Sequence, residues 1–344
     1  MAFVTGGTGL VGAHLVFDLI QKGIPVRALK RPTSSLSVIE KVFHYYSENA
    51  DDLLQKIDWI EGDILDFYLL DELIEENEEV YHAAAFVSFN PDDHDQILQI
   101  NVEGTHNMVN ACIKNKVRKL CYVSSIAALG RGESNRATTE EDYRDATYKS
   151  SVYSQSKFDA EQEVWRGIAE GLNAVIVNPS VIIGPGDWNK GSSQLIQTVY
   201  KGLKFYTKGT NGYVDVRDVS KAMVQLMESN IVNQRYILSS DNWSYKQLFD
   251  TIAKALDVKP PPYFASSILS GITWRALKVA SLFSSKAPLI TKETAHNANS
   301  FYSYSSDKII KELGFEFIPL KKCIEDTCKL FIIENDPSTT LKDQ

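Results

Sequence analysis

Eight residues near the start, Thr5-Gly6-Gly7-Thr8-Gly9-Leu10-Val11-Gly12, restrict what this chain can fold into more than any other stretch. Residues 2–5 before them read as a short apolar strand. Residues 10–22 after them place Val11, Leu15 and Leu19 on one helix face, and Gly23 ends that helix. Within the turn, Gly7, Gly9 and Gly12 fit G-x-G-x-x-G, while Gly6, Gly9 and Gly12 fit G-x-x-G-x-x-G. A turn without Cβ atoms at a helix N-terminus lets a pyrophosphate approach backbone N–H groups. The glycines alone are weak evidence. Their place between a strand and an amphipathic helix is the context that makes them a dinucleotide site.

Apolar runs alternate with helical periodicity through residue 180, the signature of a parallel sheet built from βαβ units. Further strands are predicted at 25–29, 57–61, 80–84, 120–124 and 174–177, with helices at 67–76, 96–114 and 152–170. After Pro179 the rhythm changes: Gly184-Pro185-Gly186 breaks it, and helices then dominate with one further strand near 235–238. The proline-rich 259–262 reads as a linker into a helical C-terminal part. The expected class is therefore α/β. A Rossmann-type doubly wound parallel sheet occupies 1–180, and 213–240 return to it. A smaller, mostly helical C-terminal substrate-binding lobe takes 181–212 and 241–334, and the polar 335–344 form a frayed tail.

Composition excludes several functions. At 344 residues the chain holds two domains at most, and 44% hydrophobic residues suffice for a real core. A net charge of −8, with no run of more than two consecutive Lys or Arg, argues against nucleic acid or an anionic membrane as partner. Cys112, Cys121, Cys323 and Cys328 make no disulfide framework or zinc spacing and read as small buried residues. His14, His44, His94, His106 and His296 carry no metal spacing, so no metal is expected. The glycine turn begins at Thr5, so no secretory leader is expected. The apolar 264–283 are interrupted by Arg275 and Lys278 and read as no integral membrane segment. A cytoplasmic protein is expected.

The end of the second strand bears on which dinucleotide is held. An acidic residue there would bond a ribose 2′-OH. Here Lys30-Arg31-Pro32-Thr33-Ser34 follow, with no carboxylate before Glu40. Lys30 and Arg31 beside hydroxyls suit a 2′-phosphate, so NADP(H) is preferred over NAD(H). Tyr153 and Lys157, four apart, share a face of the 152–170 helix. A tyrosine loses its proton near pH 10 on its own, and a lysine one turn away lowers that value. Ser124-Ser125 end the fifth strand, where active-site groups of open α/β sheets gather. Asn101 falls in mid-helix, where asparagine is a poor helix former. Glu140-Glu141-Asp142 reads as a solvated acidic loop.

These residues, in this order, resemble an extended short-chain dehydrogenase/reductase of the NAD-dependent epimerase/dehydratase family. The resemblance rests on the glycine turn, Gly62-Asp63-Ile64, His82-Ala83-Ala84, Asn101-Val102-Glu103-Gly104-Thr105, Ser124-Ser125 and Tyr153-x-x-x-Lys157. Asn178-Pro179, Gly184-Pro185, Val214-Asp215-Val216-Arg217-Asp218-Val219 and Lys311-Glu312-Leu313-Gly314 continue it to about residue 320. The nearest branch is dihydroflavonol 4-reductase-like and 3β-hydroxysteroid dehydrogenase-like. The resemblance implies Tyr153 as general acid/base, Lys157 as its partner and a ligand of the nicotinamide ribose, and Ser125 orienting the substrate oxygen. It implies Asn101 supporting a water-linked proton path. It places Gly6, Gly9, Leu10, Val11 and Gly12 at the pyrophosphate, Lys30 and Arg31 at the 2′-phosphate, and Asp63 and Ile64 at the adenine. Ala83 and Ala84 fall on the ribose side, Ser124 lines the cofactor, and Pro179 and Val181 touch the nicotinamide. Family members form dimers through a bundle that includes the tyrosine helix, or stay monomeric, and both alternatives stand.

Two departures matter. The first strand is a few residues shorter than in typical relatives. Thr210-Asn211-Gly212-Tyr213 also lacks the arginine with which nucleotide-sugar epimerases grip a diphosphate, although Lys208 lies close by. Tyr206, Trp243, Tyr263, Phe264, Ile268, Leu269, Trp274 and Leu277 offer apolar surface to a substrate, or simply core. The expected activity is hydride transfer between NADP(H) and a carbonyl or alcohol of a small, largely apolar molecule. A nucleotide-sugar epimerase or dehydratase with tightly held NAD ranks second, and a non-catalytic NADP-binding regulator third.

Overall fold

Period-two alternation settles the layers, because neighbouring strand residues face opposite sides of a sheet. The computed structural model describes residues 1–88, 90–132, 136–144, 150–265 and 299–335. Along the chain run β1 (Ala2–Thr5), α1 (Leu10–Gln21), β2 (Val26–Lys30), α2 (Ser37–Tyr46), α3 (Ala50–Leu54) and β3 (Ile57–Glu61). Next come α4 (Phe67–Leu73), β4 (Glu79–His82), α5 (His94–Leu98), α6 (Gly104–Lys114), β5 (Lys119–Val123), α7 (Val152–Ala169) and β6 (Ala174–Pro179). The later part holds β7 (Val181–Ile183), α8 (Gln194–Tyr200), β8 (Phe205–Tyr206), β9 (Thr210–Asp215), α9 (Val216–Glu228) and β10 (Gln234–Leu238). After these come β11 (Asp241–Ser244), α10 (Tyr245–Ala255) and β12 (Tyr263–Phe264), then helices Asp307–Leu313 and Leu320–Asn335.

Seven strands form one parallel sheet in the order β10-β6-β5-β4-β1-β2-β3. The fold class is the expected Rossmann-type α/β. Ala2 and Val4 of β1, with Val175 and Val177 of β6, join Leu15, Leu19, Phe43 and Met223 in one core layer. Phe3, Ala174 and Ile176 point the other way and join Leu70, Met108, Ala160 and Val164. A third core, around Ile196, Leu248, Ile252, Cys323 and Phe331, belongs to the C-terminal part. The strand order reverses between β4 and β1, which opens a crevice above their C-terminal ends. All four cysteines are buried and free. Among the described residues no helix is long and apolar enough to cross a membrane.

The structure differs from the sequence expectations in several places, beginning with two helices, α2 and α3, that were not expected between β2 and β3. The part after Pro179 carries five short strands, β7, β8, β9, β11 and β12, besides the expected β10. Three of them form a second sheet, β11-β9-β7, and β8 pairs with β12. They are two to six residues long, too short for alternation to show. The single helix expected over 96–114 is divided by a π-helical turn, Gln99–Glu103, that contains Asn101. The acidic run is no solvated loop. Glu140 and Asp142 are buried, and the Glu140 carboxylate accepts the Ile237 N–H at 2.8 Å. That bond satisfies a donor on the open edge of β10, which would otherwise invite another chain. Ile268, Leu269, Trp274, Leu277, His296 and the tail from 336 lie outside the described residues.

Candidate active site

The glycine turn is shaped by contacts no side chain could share. Gly6 has φ +75°, and a Cβ on it would stand 2.6 Å from the Ala83 carbonyl carbon and the Ala84 nitrogen. A Cβ on Gly12 would stand 2.1 Å from the Gly6 oxygen. These approaches press β1, α1 and the Ala83-Ala84 segment after β4 together at the crevice, where Ala83 N–H bonds the Thr5 carbonyl at 3.1 Å. Gly9 is the N-cap of α1 and supplies no side-chain cap. The first-turn N–H groups, with Leu10 and Val11 among them, are thus left for an anion. A Cβ on Gly9 would meet only the Gly6 oxygen, at 3.4 Å. This bare cradle fits a dinucleotide pyrophosphate.

Around the cradle the predicted residues fare differently. Lys30 is paired with Glu61 on the neighbouring β3 at 2.8 Å. Arg31, one residue beyond β2, is exposed and forms no ion pair among the described residues. Asp63 accepts the Leu65 N–H at 3.1 Å and so fixes its own turn. Ile64 is buried against Gly104, where a Cβ would come within 2.5 Å of it. Pro179 closes β6, and Val181 opens β7 two residues later.

Helix α7 carries the pair expected to react, Tyr153 and Lys157. Ser151 caps it by accepting the Ser154 N–H at 3.0 Å, which puts Tyr153 in the first turn, half-buried. Lys157, one turn on, is 2% exposed. Its Nζ donates to the Tyr122 hydroxyl at 2.9 Å and to the Val123 carbonyl at 2.8 Å. Burial brings its pKa down to about 7, although the nearby Glu161 charge opposes the fall. Burial, then Glu161, pushes the Tyr122 phenol far up, so it stays neutral beneath the lysine.

The two serines at the end of β5 separate in role. Ser124 is buried and donates to Glu161 at 2.6 Å. Ser125 is only partly buried; its Oγ accepts the Ala127 N–H at 3.1 Å, which leaves a donor proton free to turn outward. Asn101 is buried. Its side chain accepts the Phe86 N–H at 2.7 Å and donates to the Phe86 carbonyl and the Ser156 hydroxyl, both at 3.0 Å. It therefore ties the segment after β4 to α7. Thr5, His82 and Thr105 form a further buried chain, with bonds of 2.7 and 3.1 Å. Desolvation, with Lys157 adding to it, pulls His82 down to about 3 and keeps it neutral.

A family model, the NAD dependent epimerase/dehydratase family, matches residues 2–238. The chain belongs to that family. As an extended short-chain dehydrogenase/reductase it is an NAD(P)-dependent oxidoreductase. A "Putative dihydroflavonol 4-reductase" of Synechocystis sp. (strain ATCC 27184 / PCC 6803 / Kazusa) is 29% identical over 339 residues, 96% of this chain and 94% of that protein. Cinnamoyl-CoA reductase 1 of Petunia hybrida is 26% identical over 336 residues, 95% and 90% of the two chains. The crystal structure of gox2253 superposes with TM-score 0.81 at 28% identity, covering 97% of this chain and 98% of that one.

Sequence reasoning gave no role to Glu161, Arg235 or Tyr122, which the fold packs beside Lys157, Ser124 and Asn178. Glu161 follows Lys157 by four residues, the same helical spacing that singled out the pair itself. Nothing in the sequence near Arg235 points to Glu161, 74 residues away. Of the aromatic residues expected in the C-terminal part, Trp243 packs on the third core. Tyr263 and Phe264 are exposed, and Phe264 lies under Lys208 at 4.8 Å.

Proposed function

We propose that the chain is an NADP(H)-dependent reductase that converts a carbonyl of a small, largely apolar molecule into an alcohol, with Tyr153 giving the proton. One observation carries the reading: a buried lysine one helical turn from Tyr153, held from below by Tyr122 and Val123, next to a strand end that presents Ser125. Gly6, Gly9, Leu10, Val11 and Gly12 would hold the pyrophosphate, Asp63 and Ile64 the adenine, Ala83 and Ala84 the ribose side, and Pro179 and Val181 the nicotinamide. Arg31 would take the 2′-phosphate. Lys30, spent on Glu61, would add only background charge. When bound, the cofactor supplies the hydride.

The protein's part is position and a proton. Ser125 donates to the substrate oxygen and fixes it beside the Tyr153 hydroxyl. Tyr153 passes its proton to that oxygen as negative charge develops there, and Lys157 stabilises the phenolate left behind. Residues 1–180 and 213–240 form the cofactor half in this reading, and 181–212 with 241–334 form the substrate half. Lys208 lies over Phe264, a cation–π contact that competes with a diphosphate for its ammonium. The names of the relatives add two carbonyl classes to try, dihydroflavonols and cinnamoyl-CoA thioesters.

The test is consumption of NADPH, followed by its absorbance, against a panel of ketones, aldehydes, dihydroflavonols and acyl-CoA thioesters. Tyr153→Phe should cut turnover at least about a hundredfold, within the range for a lost general acid, while NADPH affinity changes little. Undiminished turnover in that variant would remove Tyr153 from the reaction.

A further inference from the structure

Glu161 is a buried carboxylate that this reaction scheme leaves unused. Its side chain is 1% exposed. Oε2 accepts from Ser124 Oγ at 2.6 Å and from Asn178 Nδ2 at 2.7 Å. Oε1 accepts from Arg235 Nη1 at 3.1 Å and from Trp165 Nε1 at 3.2 Å. The groups around it come from every neighbouring element: Lys157 on α7, Tyr122 on β5, and Arg235 on β10. Arg235 is itself held by the Glu140 carbonyl at 2.9 Å and lies over the Tyr143 ring, with Lys308 bonded to its carbonyl at 3.0 Å. A buried ion pair of this kind adds little net stability compared with an apolar pair of the same volume. What it adds here is geometry, because one carboxylate ties α7 to the ends of β5 and β6 and to β10.

The tie reaches Ser125 through Asn178. The same Nδ2 that donates to Glu161 also donates to the Ser125 carbonyl at 3.1 Å, and Asn178 Oδ1 is buried with no partner among the described residues. We propose that Glu161 is a positioning residue for Ser125: its carboxylate orients Asn178, Asn178 fixes the Ser125 main chain, and the Ser125 hydroxyl is thereby set for the substrate oxygen. The proposal rests on the role given to Ser125 in the reductase reading. Replacing the carboxylate by an amide shows why charge is required. One oxygen becomes an NH₂ facing donors on its side. Arg235 and Trp165 cannot accept, so the NH₂ takes the Oε2 side; there Ser124 can turn its hydroxyl, but Asn178 can respond only by flipping, which aims Oδ1 at the Ser125 carbonyl oxygen and breaks the hold.

The experiment uses the full chain as wild type, Glu161→Gln, Ser125→Ala and the double variant, with Tyr153→Phe as control. Glu161→Gln should lower kcat by about ten- to a hundredfold with the KM for NADPH within about threefold, the mark of a misplaced substrate contact rather than a damaged cofactor site. In the Ser125→Ala background the same change should cost less than about twofold, since no hydroxyl remains to be positioned. An equal loss in both backgrounds would overturn the proposal. Should Glu161→Gln not fold, Asn178→Ala removes the same link without unpairing Arg235, and the same non-additivity is expected. If wild type and Tyr153→Phe are equally silent on every carbonyl, the reductase reading has failed, and hydrogen exchange then judges the positioning alone. Glu161→Gln should speed exchange of the Ala127 and Ala128 amides, bonded to Ser125 at 3.1 and 3.0 Å, by at least about tenfold while β1 amides keep their protection. Unchanged exchange there would overturn it.

Discussion

Arg31 and Lys30 are adjacent in sequence and alike in charge, yet the fold gives them different work. Lys30 spends its ammonium on Glu61, whereas Arg31 stands exposed past the strand end. If Arg31 forks onto a 2′-phosphate, Arg31→Ala should weaken NADPH binding about ten- to a hundredfold, the worth of a charge-assisted bidentate contact, and leave NADH binding within about twofold. Fluorescence titration of both cofactors measures this, and matched losses would refute the 2′-phosphate role. Such residues were legible because they sit in short local patterns: the glycines, the serine pair, the four-residue spacing of Tyr153 and Lys157. Arg235 and Tyr122 were not, because their contacts with Glu161 and Lys157 are made only by folding.

At the scale of elements, the turn between β1 and α1 is held by backbone against backbone. A methyl on Gly12 would meet the Gly6 oxygen, which cannot swing aside as a flexible side chain would. Gly12→Ala should therefore cost about 1–3 kcal/mol of stability in thermal or urea unfolding, the usual range for overpacking, and should weaken NADPH binding as well. A stable variant with wild-type affinity would mean the turn is looser than drawn. All seven strands of the main sheet were readable in the sequence, since buried parallel strands are continuous apolar runs between helical periods. The short strands of the second sheet carry no such signal. The π-helical turn at Asn101 was half visible: an asparagine in mid-helix is an anomaly, but its partners Phe86 and Ser156 appear only in the fold.

For the whole molecule, buried titratable groups of opposite kind shape the response to acid. Burial lowers His14 to about 4 and His82 to about 3, so the unfolded chain takes up protons below about pH 6.5 that the folded one refuses, and stability falls with pH. Burial raises Asp18 and Asp218 to about 6, so there the folded chain takes up the proton first and stability grows as pH falls from 6 to about 4. Glu78 and Glu140, also raised by burial, add to that side. Between pH 6 and 4 the two sets oppose each other. Below about 4 the raised acids have nothing more to give, while Asp142, Asp187 and Asp326, held down by their partners, must be protonated against those contacts. Urea unfolding of the cofactor-free chain should show stability level to within about 1 kcal/mol from pH 6 to 4 and a steep loss below. A steady decline starting at pH 6.5 would mean the histidines outweigh the acids.

The seventh strand has a consequence for how the chain is made. β10 completes the main sheet beside β6, but residues 180–233 lie between them and include most of the second sheet's strands. During synthesis the sheet therefore waits with β6 as an open edge until that excursion has left the ribosome and the chain has come back. Long-range closure of this sort is slow, and an unpaired edge is a site for wrong partners. Glu140, which satisfies an N–H of β10 from outside, then seals the last edge to form.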